Sequence, residues 1–170
     1  DENGWLRTGD LALLDGDAAS TDPRDGAGRD AGLDALVLAA AVEAGSEHPV
    51  ARAIVAAATE RMPEGTHLPR SRDFANHAGR GVSATLTLPD GATEARALVG
   101  RPSWLAEEGV DTAALDAAAA HVTRAEERGD TAVALAIDGR AVAVLAVRDA
   151  LRASSAQAIR ELRELDVTPH

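Results

Sequence analysis

A proline that directly follows a histidine, between two alanine-rich stretches, restricts the folding of this chain more than any other feature. Pro49 fixes its own φ and disfavours helical geometry at His48, so one helix must end before this point. A second helix can begin with Pro49 in its first turn. His48 is therefore predicted at a helix N-terminus, where free N–H groups favour an anionic ligand. A purely structural interpretation, with Ser46 as N-cap and Glu47 favoured by the helix dipole, is also open.

Hydrophobic patterning predicts an antiparallel sheet with helices packed against it, an α+β fold. Alanine-rich periodic stretches predict helices at 33–44, 49–61 and 111–128. The alternating run 82–88 predicts a strand, and strands are also predicted at 11–14, 72–76, 94–99, 133–137 and 142–147. Turns are predicted at 89–91 and at Asp138-Gly139, and residues 15–31, which lack periodicity, are expected to form a loop.

Two glycine-containing segments follow the histidine. Gly79-Arg80-Gly81-Val82 precedes one predicted strand, and Val99-Gly100-Arg101-Pro102 follows the next. Alone, such glycines are equally well explained by a bulge or a tight strand entry. Taken together and in this order, the chain's motifs resemble the nucleotide-binding domain of P-type heavy-metal transporting ATPases, the copper, silver, zinc, cadmium and cobalt pumps. The residues that carry this resemblance are Glu43, His48-Pro49, Gly79-Arg80-Gly81 and Gly100.

The resemblance covers nearly the whole chain. Residues 128–133 and the hairpin after them look like the family's Gly-Lys-Thr segment, with Asp130 where lysine is usual. Residues 146–152 and a helix predicted at 154–165 resemble the return into the phosphorylation domain. The resemblance thus implies an ATP-binding domain at 13–147, with short edges of a haloacid dehalogenase (HAD)-like α/β phosphorylation domain at 1–12 and 148–170. The chain is interpreted as a piece of a longer polypeptide.

The first residues fall where these pumps carry the phosphorylation sequence Asp-Lys-Thr-Gly-Thr-Leu-Thr. Position nominates Asp1 as the phosphoacceptor, although Glu2 stands where the motif has lysine and would repel phosphate. Residues 4–11 also resemble the Gly-Trp-x-x-Thr-Gly-Asp motif of adenylate-forming acyl-CoA ligases. A ligase fragment is therefore one alternative.

The resemblance implies a role in adenine recognition for two residues. His48 would stack on the adenine or hydrogen-bond to it. Glu43 would accept a hydrogen bond from the exocyclic amine. A carboxylate has no donor, so this contact suits an amino group and favours adenine over guanine.

The glycine segments would contact the rest of the nucleotide. The family implies that Gly79, Gly81 and Gly100 let the backbone approach the ligand closely, with Val82 as an apolar wall. Arg101 stands where the family often has asparagine and would contact a phosphate. Trp104 is better explained by packing than by ligand contact.

Composition fits one compact module. The chain has 170 residues, 45% of them hydrophobic, with no cysteine and no apolar stretch that could span a bilayer. Its five histidines lack metal-ligand spacing, so no metal site is predicted. The formal net charge of −11 argues against nucleic-acid or anionic-membrane binding, but it does not exclude ATP carried with Mg²⁺.

The function implied is binding of ATP with Mg²⁺ on the cytoplasmic face of a membrane pump. The partners of this segment would be the phosphorylation, actuator and membrane domains of that pump. The isolated chain is expected to bind the nucleotide without turning it over. A degenerate regulatory or docking module is a second alternative, because Glu2, Asp130 and Arg101 depart from the family pattern.

Overall fold

The fold is a six-stranded antiparallel sheet with helices on both faces. The computed structural model describes residues 7–13, 26–88 and 90–148. The strands lie in the order β1-β6-β5-β4-β3-β2. Their bounds are β1 Arg7–Leu13, β2 Ser71–His77, β3 Gly81–Thr87, β4 Glu94–Gly100, β5 Thr131–Ile137 and β6 Arg140–Arg148. The helices are α1 Gly26–Glu43, α2 Pro49–Arg61, α3 Pro102–Glu107 and α4 Thr112–Glu127.

Alternation along the strands, interrupted by a register shift in the β5–β6 pair, divides the core between the two faces. One apolar cluster joins α1 and α2 to side chains such as Val82, Val99 and Leu145. The other joins α3 and α4 to Leu98, Val144 and their neighbours. Because successive side chains of a strand point to opposite faces, a central strand with helices on both sides must be apolar at nearly every position. The runs in β5 and β6 meet this condition, and the predicted α+β fold with a flanked antiparallel sheet is confirmed.

The turn between β5 and β6 is a two-residue hairpin, as predicted. Both central residues have positive φ, 46° at Asp138 and 81° at Gly139. This geometry matches the twist of the paired strands and favours Asp-Gly sequences.

Three elements differ from the sequence prediction. α1 begins at Gly26, so residues 26–31, expected in a loop, are helical. α3 was not predicted, because six residues are too few to show a helical period. β1 runs from Arg7 to Leu13 and pairs with β6, so the proposed domain boundary between residues 12 and 13 falls inside a strand. Asp1, Pro89 and the helix predicted at 154–165 lie outside the described residues.

Candidate functional site

The turn between α1 and α2 forms the first part of the candidate site. α1 ends at Glu43 and α2 begins at Pro49, as the histidine–proline pair predicted. The N-cap is His48 itself rather than Ser46, because the His48 Nδ1 accepts a hydrogen bond from the Val50 amide at 3.2 Å. Ser46 stabilises the turn instead, where its Oγ accepts a 3.3 Å bond from the His48 amide. In a neutral ring this use of Nδ1 places the proton on Nε2, which makes the exposed His48 a donor.

Glu43, the last residue of α1, is a buried carboxylate. It is 7% exposed, and desolvation without any hydrogen bond is what shifts its pKa. No fully enclosed side-chain oxygen among the described residues lacks a partner, so the Glu43 carboxylate still reaches the surface. Burial without a partner disfavours the charged form, and this desolvation raises the pKa of Glu43 to about 7. A carboxylate in this state gains free energy from any donor that a ligand supplies.

Phe74 is a site residue that sequence reasoning missed. It lies on the edge strand β2, is 37% exposed, and is the exposed large hydrophobic residue of the described part of the chain. Its ring packs against Gly45, where a Cβ would lie 2.8 Å from the Phe74 Cγ. The signal in the sequence was that this is the single phenylalanine of the chain. The contact between Phe74 and Gly45 could not be predicted from the sequence, because the two residues are far apart along the chain.

The glycine segments lie at the adjacent ends of β2, β3 and β4. Gly81 and Gly100 are directly opposite each other in the β3–β4 pair. The Arg101 amide donates to the Arg80 carbonyl at 3.1 Å, which ties the two segments together. Gly79 has φ of 72° in the β2–β3 turn, a left-handed conformation that favours glycine.

Trp104 occupies the space beside the paired glycines. A Cβ on Gly81 would lie 2.6 Å from Cζ3 of the indole, and one on Gly100 would lie 2.7 Å from Cε3. The indole is 3% exposed and stacks at a tilt on His77, with 4.8 Å between ring centroids. The packing role expected for Trp104 is therefore observed. This packing explains why positions 81 and 100 have no room for a side chain.

The predicted site residues lie toward both faces of the sheet. Glu43 and His48 flank the turn that covers Phe74, on the α1–α2 side of the sheet. The Cβ directions of Gly81 and Gly100 point to the opposite side, toward Trp104. Val82 is 5% exposed and belongs to the core beneath α1. The exposed Arg101 is the N-cap of α3 and makes no side-chain capping bond there.

Asp130, which stands where the resemblance expects lysine, forms an ion pair at the end of the sheet. Its side chain is 1% exposed and accepts two bonds from Arg148, at 2.9 Å from Nε and 3.1 Å from Nη2. Arg128 Nε lies 3.6 Å away. The bonds from Arg148 are the main reason that the pKa of Asp130 lies below its usual value.

Asp130→Asn is expected to lower the free energy of unfolding by about 1–2 kcal/mol at neutral pH, because both arginines are about half exposed and retain water as partners. A lowered carboxyl pKa stabilises above the unfolded value of 3.8, and this contribution is lost as the pH falls below it. The difference between Asp130→Asn and the parent in urea unfolding should therefore shrink in acid. Asp116→Asn, on the exposed face of α4, makes the same charge change and should have little effect. Equal losses in the two variants would contradict the ion-pair interpretation.

Two further observations limit the chemistry of the described residues. None of the helices seen in these ranges combines the length and apolarity needed to cross a membrane. Residues 7–13, 26–88 and 90–148 contain no group of three or more histidine, aspartate or glutamate side chains placed to hold a metal ion.

Comparison with known proteins identifies the family of the chain. Residues 13–169 match the model of the haloacid dehalogenase-like hydrolase family. The copper-exporting P-type ATPase of Mycobacterium leprae is 37% identical over 164 residues, which are 96% of this chain and 18% of that protein. The copper-exporting P-type ATPase of Bacillus subtilis is 33% identical over 132 residues. The chain thus spans less than a fifth of the length of these relatives.

Solved structures agree with this placement. A zinc-transporting PIB-type ATPase in an E2.Pi state matches 97% of this chain and 22% of its own, with TM-score 0.60 and 28% identity. The N-domain of HMA8, a copper-transporting P-type ATPase, shares the fold over 84% of this chain and 98% of its own, with TM-score 0.54 and 21% identity. The chain belongs to the haloacid dehalogenase-like hydrolase family, and it is similar to a segment of the heavy-metal P-type ATPases.

Proposed function

We propose that this chain binds ATP at the α1–α2 turn and the neighbouring ends of β2, β3 and β4. The observation that carries the proposal is Glu43, a buried carboxylate without a hydrogen-bond donor among the described residues. It lies at the start of the α1–α2 turn, and the exposed His48 lies at the end of that turn. A protein bears the cost of such a group where a ligand completes it. The exocyclic amine of adenine supplies the missing donor.

The two side chains would act on different parts of the base. Glu43 accepts from the amine in its ionised form, and its position at the end of α1 fixes the direction of that bond. His48 is oriented by its capping bond to Val50, so its ring is preset for stacking or for donation from Nε2. Preset groups bind at a lower entropic cost than mobile ones.

The phosphates would lie toward the strand ends. Arg101 offers a cationic contact there, and the Gly79 turn exposes backbone without a side chain. Val82 would contribute apolar surface only from beneath the site, since it is buried. Mg²⁺ would arrive with the nucleotide, where it neutralises phosphate charge, because the described residues hold no acidic cluster that could retain it.

In the parent protein this domain would present ATP to an aspartate of the phosphorylation domain, for which Asp1 is the candidate by position. The resulting aspartyl phosphate would drive heavy-metal transport through a membrane domain, with copper as the substrate suggested by the relatives' names. The domain would then lie on the cytoplasmic side, with the phosphorylation, actuator and membrane domains as partners. The proposed division remains 1–12, 13–147 and 148–170, with the first boundary better set before Arg7, because β1 belongs to the sheet.

The docking-module alternative keeps one supporting observation. The family motif has a lysine at this position, whereas Asp130 is an acid that is paired with Arg148. Residue 130 therefore cannot supply the positive charge of that lysine. ATP binding without phosphoenzyme formation in the full-length parent would favour that alternative. Only residues 4–11 supported a ligase, and residues 7–11 lie in β1 of the ATPase fold.

Calorimetric titration of the chain with ATP and with GTP, each with Mg²⁺, tests the proposal. We expect saturable ATP binding, weaker GTP binding, and amide NMR shifts centred on Glu43, His48, Gly79, Gly81 and Gly100. His48→Gln and Glu43→Ala should each weaken ATP binding by about tenfold, the equivalent of one hydrogen bond to a charged group or one stack. Glu47→Ala, an exposed acid in the same turn, is the matched control and should change affinity little. Equal loss in all three variants, or no saturable binding, would reject the site.

A further inference from the structure

An irregularity in the edge strand β2 decides which way Phe74 points. β2 is paired with β3 at Arg72↔Thr85 and again at Ala75↔Ser83, so β2 carries one extra residue between these pairs. If the register of Arg72↔Thr85 continued, Phe74 would stand opposite Ser83 and share its face of the sheet, on the side of Trp104. After the bulge it is Ala75 that stands opposite Ser83, so the preceding Phe74 lies on the other face. Phe74 instead lies on the α1–α2 side, against the turn that holds Glu43 and His48.

The bulge is maintained at a conformational cost. Asp73, within it, has φ of 55°, a left-handed conformation that is unfavourable for residues other than glycine. Asp73 also pairs with the neighbouring Arg72, which in turn binds Glu94 at 2.6 Å, so the irregular segment is held in place by exposed ion pairs. Bulges are common beside functional sites because they re-aim a side chain. Here the side chain re-aimed is an aromatic ring.

Gly45 covers part of that ring, and the residue as a whole stays partly exposed. The Cβ position of Gly45 lies 2.8, 2.9 and 3.1 Å from Cγ, Cδ2 and Cδ1 of Phe74, which puts the glycine over the ring face near Cγ. Only a residue without a side chain fits between the helix turn and the ring. Even so, Phe74 remains 37% exposed, and the glycine that it contacts follows the buried Glu43 by two residues. A flat apolar surface on the turn that follows this carboxylate would suit a flat base that carries an amino group.

We propose that Phe74 is a stacking platform for the nucleobase, positioned by the β2 bulge and by Gly45. This inference rests on the proposed ATP site and adds a contact that the motifs do not include. The base would lie on the free part of the ring with its exocyclic amine toward Glu43. Stacking is tolerant of base identity because every base has a π face, whereas Glu43 discriminates between them. Affinity and selectivity would then reside in different residues.

Because Phe74 is the single phenylalanine, selective ¹³C labelling of phenylalanine rings gives one spin system for a direct test. In the full 170-residue chain saturated with ATP and Mg²⁺, we expect intermolecular NOEs between the Phe74 ring protons and adenine H2 or H8, together with ring-current shifts of both. Saturable amide shifts at Glu43 and His48 without any such NOE would overturn the platform and leave the proposed site intact. Absence of saturable binding would overturn the proposed function, and the platform with it.

Substitutions separate stacking from packing. Phe74→Leu keeps apolar bulk over Gly45 but removes the π face, so we expect ATP affinity to fall roughly 5- to 150-fold, as for the loss of one base stack. Phe74→Tyr should bind like the parent. Binding of inorganic tripolyphosphate with Mg²⁺, which has no base, should be unchanged in both variants. Leu68→Ala, which trims a partly buried residue packed against the core beneath α1 and α2, controls for stability. Equal losses for ATP and tripolyphosphate in Phe74→Leu would show that the ring only supports the turn and would overturn the inference.

Discussion

Gly81→Ala is expected to lower the free energy of unfolding by about 3 kcal/mol, a large part of the stability of a domain of this size. A Cβ at this position would overlap the Val99 carbonyl oxygen and lie 2.6 Å from the Trp104 indole. The carbonyl belongs to the β3–β4 ladder and cannot move without breaking strand pairing. The indole is 3% exposed and has no free space to enter. Urea unfolding followed by circular dichroism measures the loss.

Gly79→Ala is the matched control for this substitution. Gly79 lies two residues earlier, and a Cβ there would meet nothing within 4 Å. Its φ of 72° should cost about 1–2 kcal/mol when alanine is introduced, and no overlap adds to that cost. If Gly81→Ala proved as stable as the parent, Trp104 would not fill the space beside the glycine. The requirement for glycine at position 81 would then have to come from the ligand alone.

Glu43→Gln is expected to stabilise the domain at pH 8 and to weaken its binding of ATP. The pKa of Glu43 rises from 4.5 to about 7 on folding, a difference worth about 3 kcal/mol. A raised carboxyl pKa penalises the folded state only where the group is charged. Stability is therefore complete below the unfolded value and decreases as the pH rises from about 4.5 to about 7. Glutamine resembles the protonated acid in shape and should remove this pH dependence.

Urea unfolding at pH 5 and pH 8 checks both parts of this expectation. The parent should lose up to about 3 kcal/mol between the two values, whereas Glu43→Gln should change little. Glu47→Gln makes the same charge change at an exposed position and should follow the parent. Stability of Glu43→Gln at or below that of the parent at pH 8 would contradict the interpretation of Glu43 as an unpaired buried charge. Adenosine, which has no phosphate to titrate near neutral pH, should bind the parent more weakly as the pH falls below about 7.

The sequence predicted the parts of the fold that are encoded over short distances. The alternation in β3, the apolar run in β6 and the Asp138-Gly139 turn each identify their element within a few residues. The Pro49 start of α2 is local in the same sense, since one ring fixes it. The glycine-rich beginning of α1 was wrongly predicted as a loop because its residues have weak helix propensity and no apolar period.

The arrangement of the candidate site depends on residues far apart in sequence. Trp104 packs on both Gly81 and Gly100, and this contact can be predicted only if the pairing of the two glycines across β3 and β4 is known. The contact between Phe74 and Gly45 depends on a one-residue bulge, and no local pattern marks where a ladder takes an extra residue. The burial of Glu43 likewise follows from how α1 ends against the sheet. Motifs could nominate these residues, but only the tertiary structure shows which of them meet.

The pairing of β1 with β6 also has a consequence for the order of folding. Arg7 is opposite Arg148, so the first strand of the described chain completes its ladder only with the last. On a ribosome, β1 must wait with unpaired backbone groups until the whole segment through β6 has been synthesised. Closing so long a loop is entropically slow, whereas the hairpins from β2 to β4 can form early. We therefore expect β1 to dock last, on a nearly finished sheet, and a chain truncated before β6 to leave β1 without its partner strand.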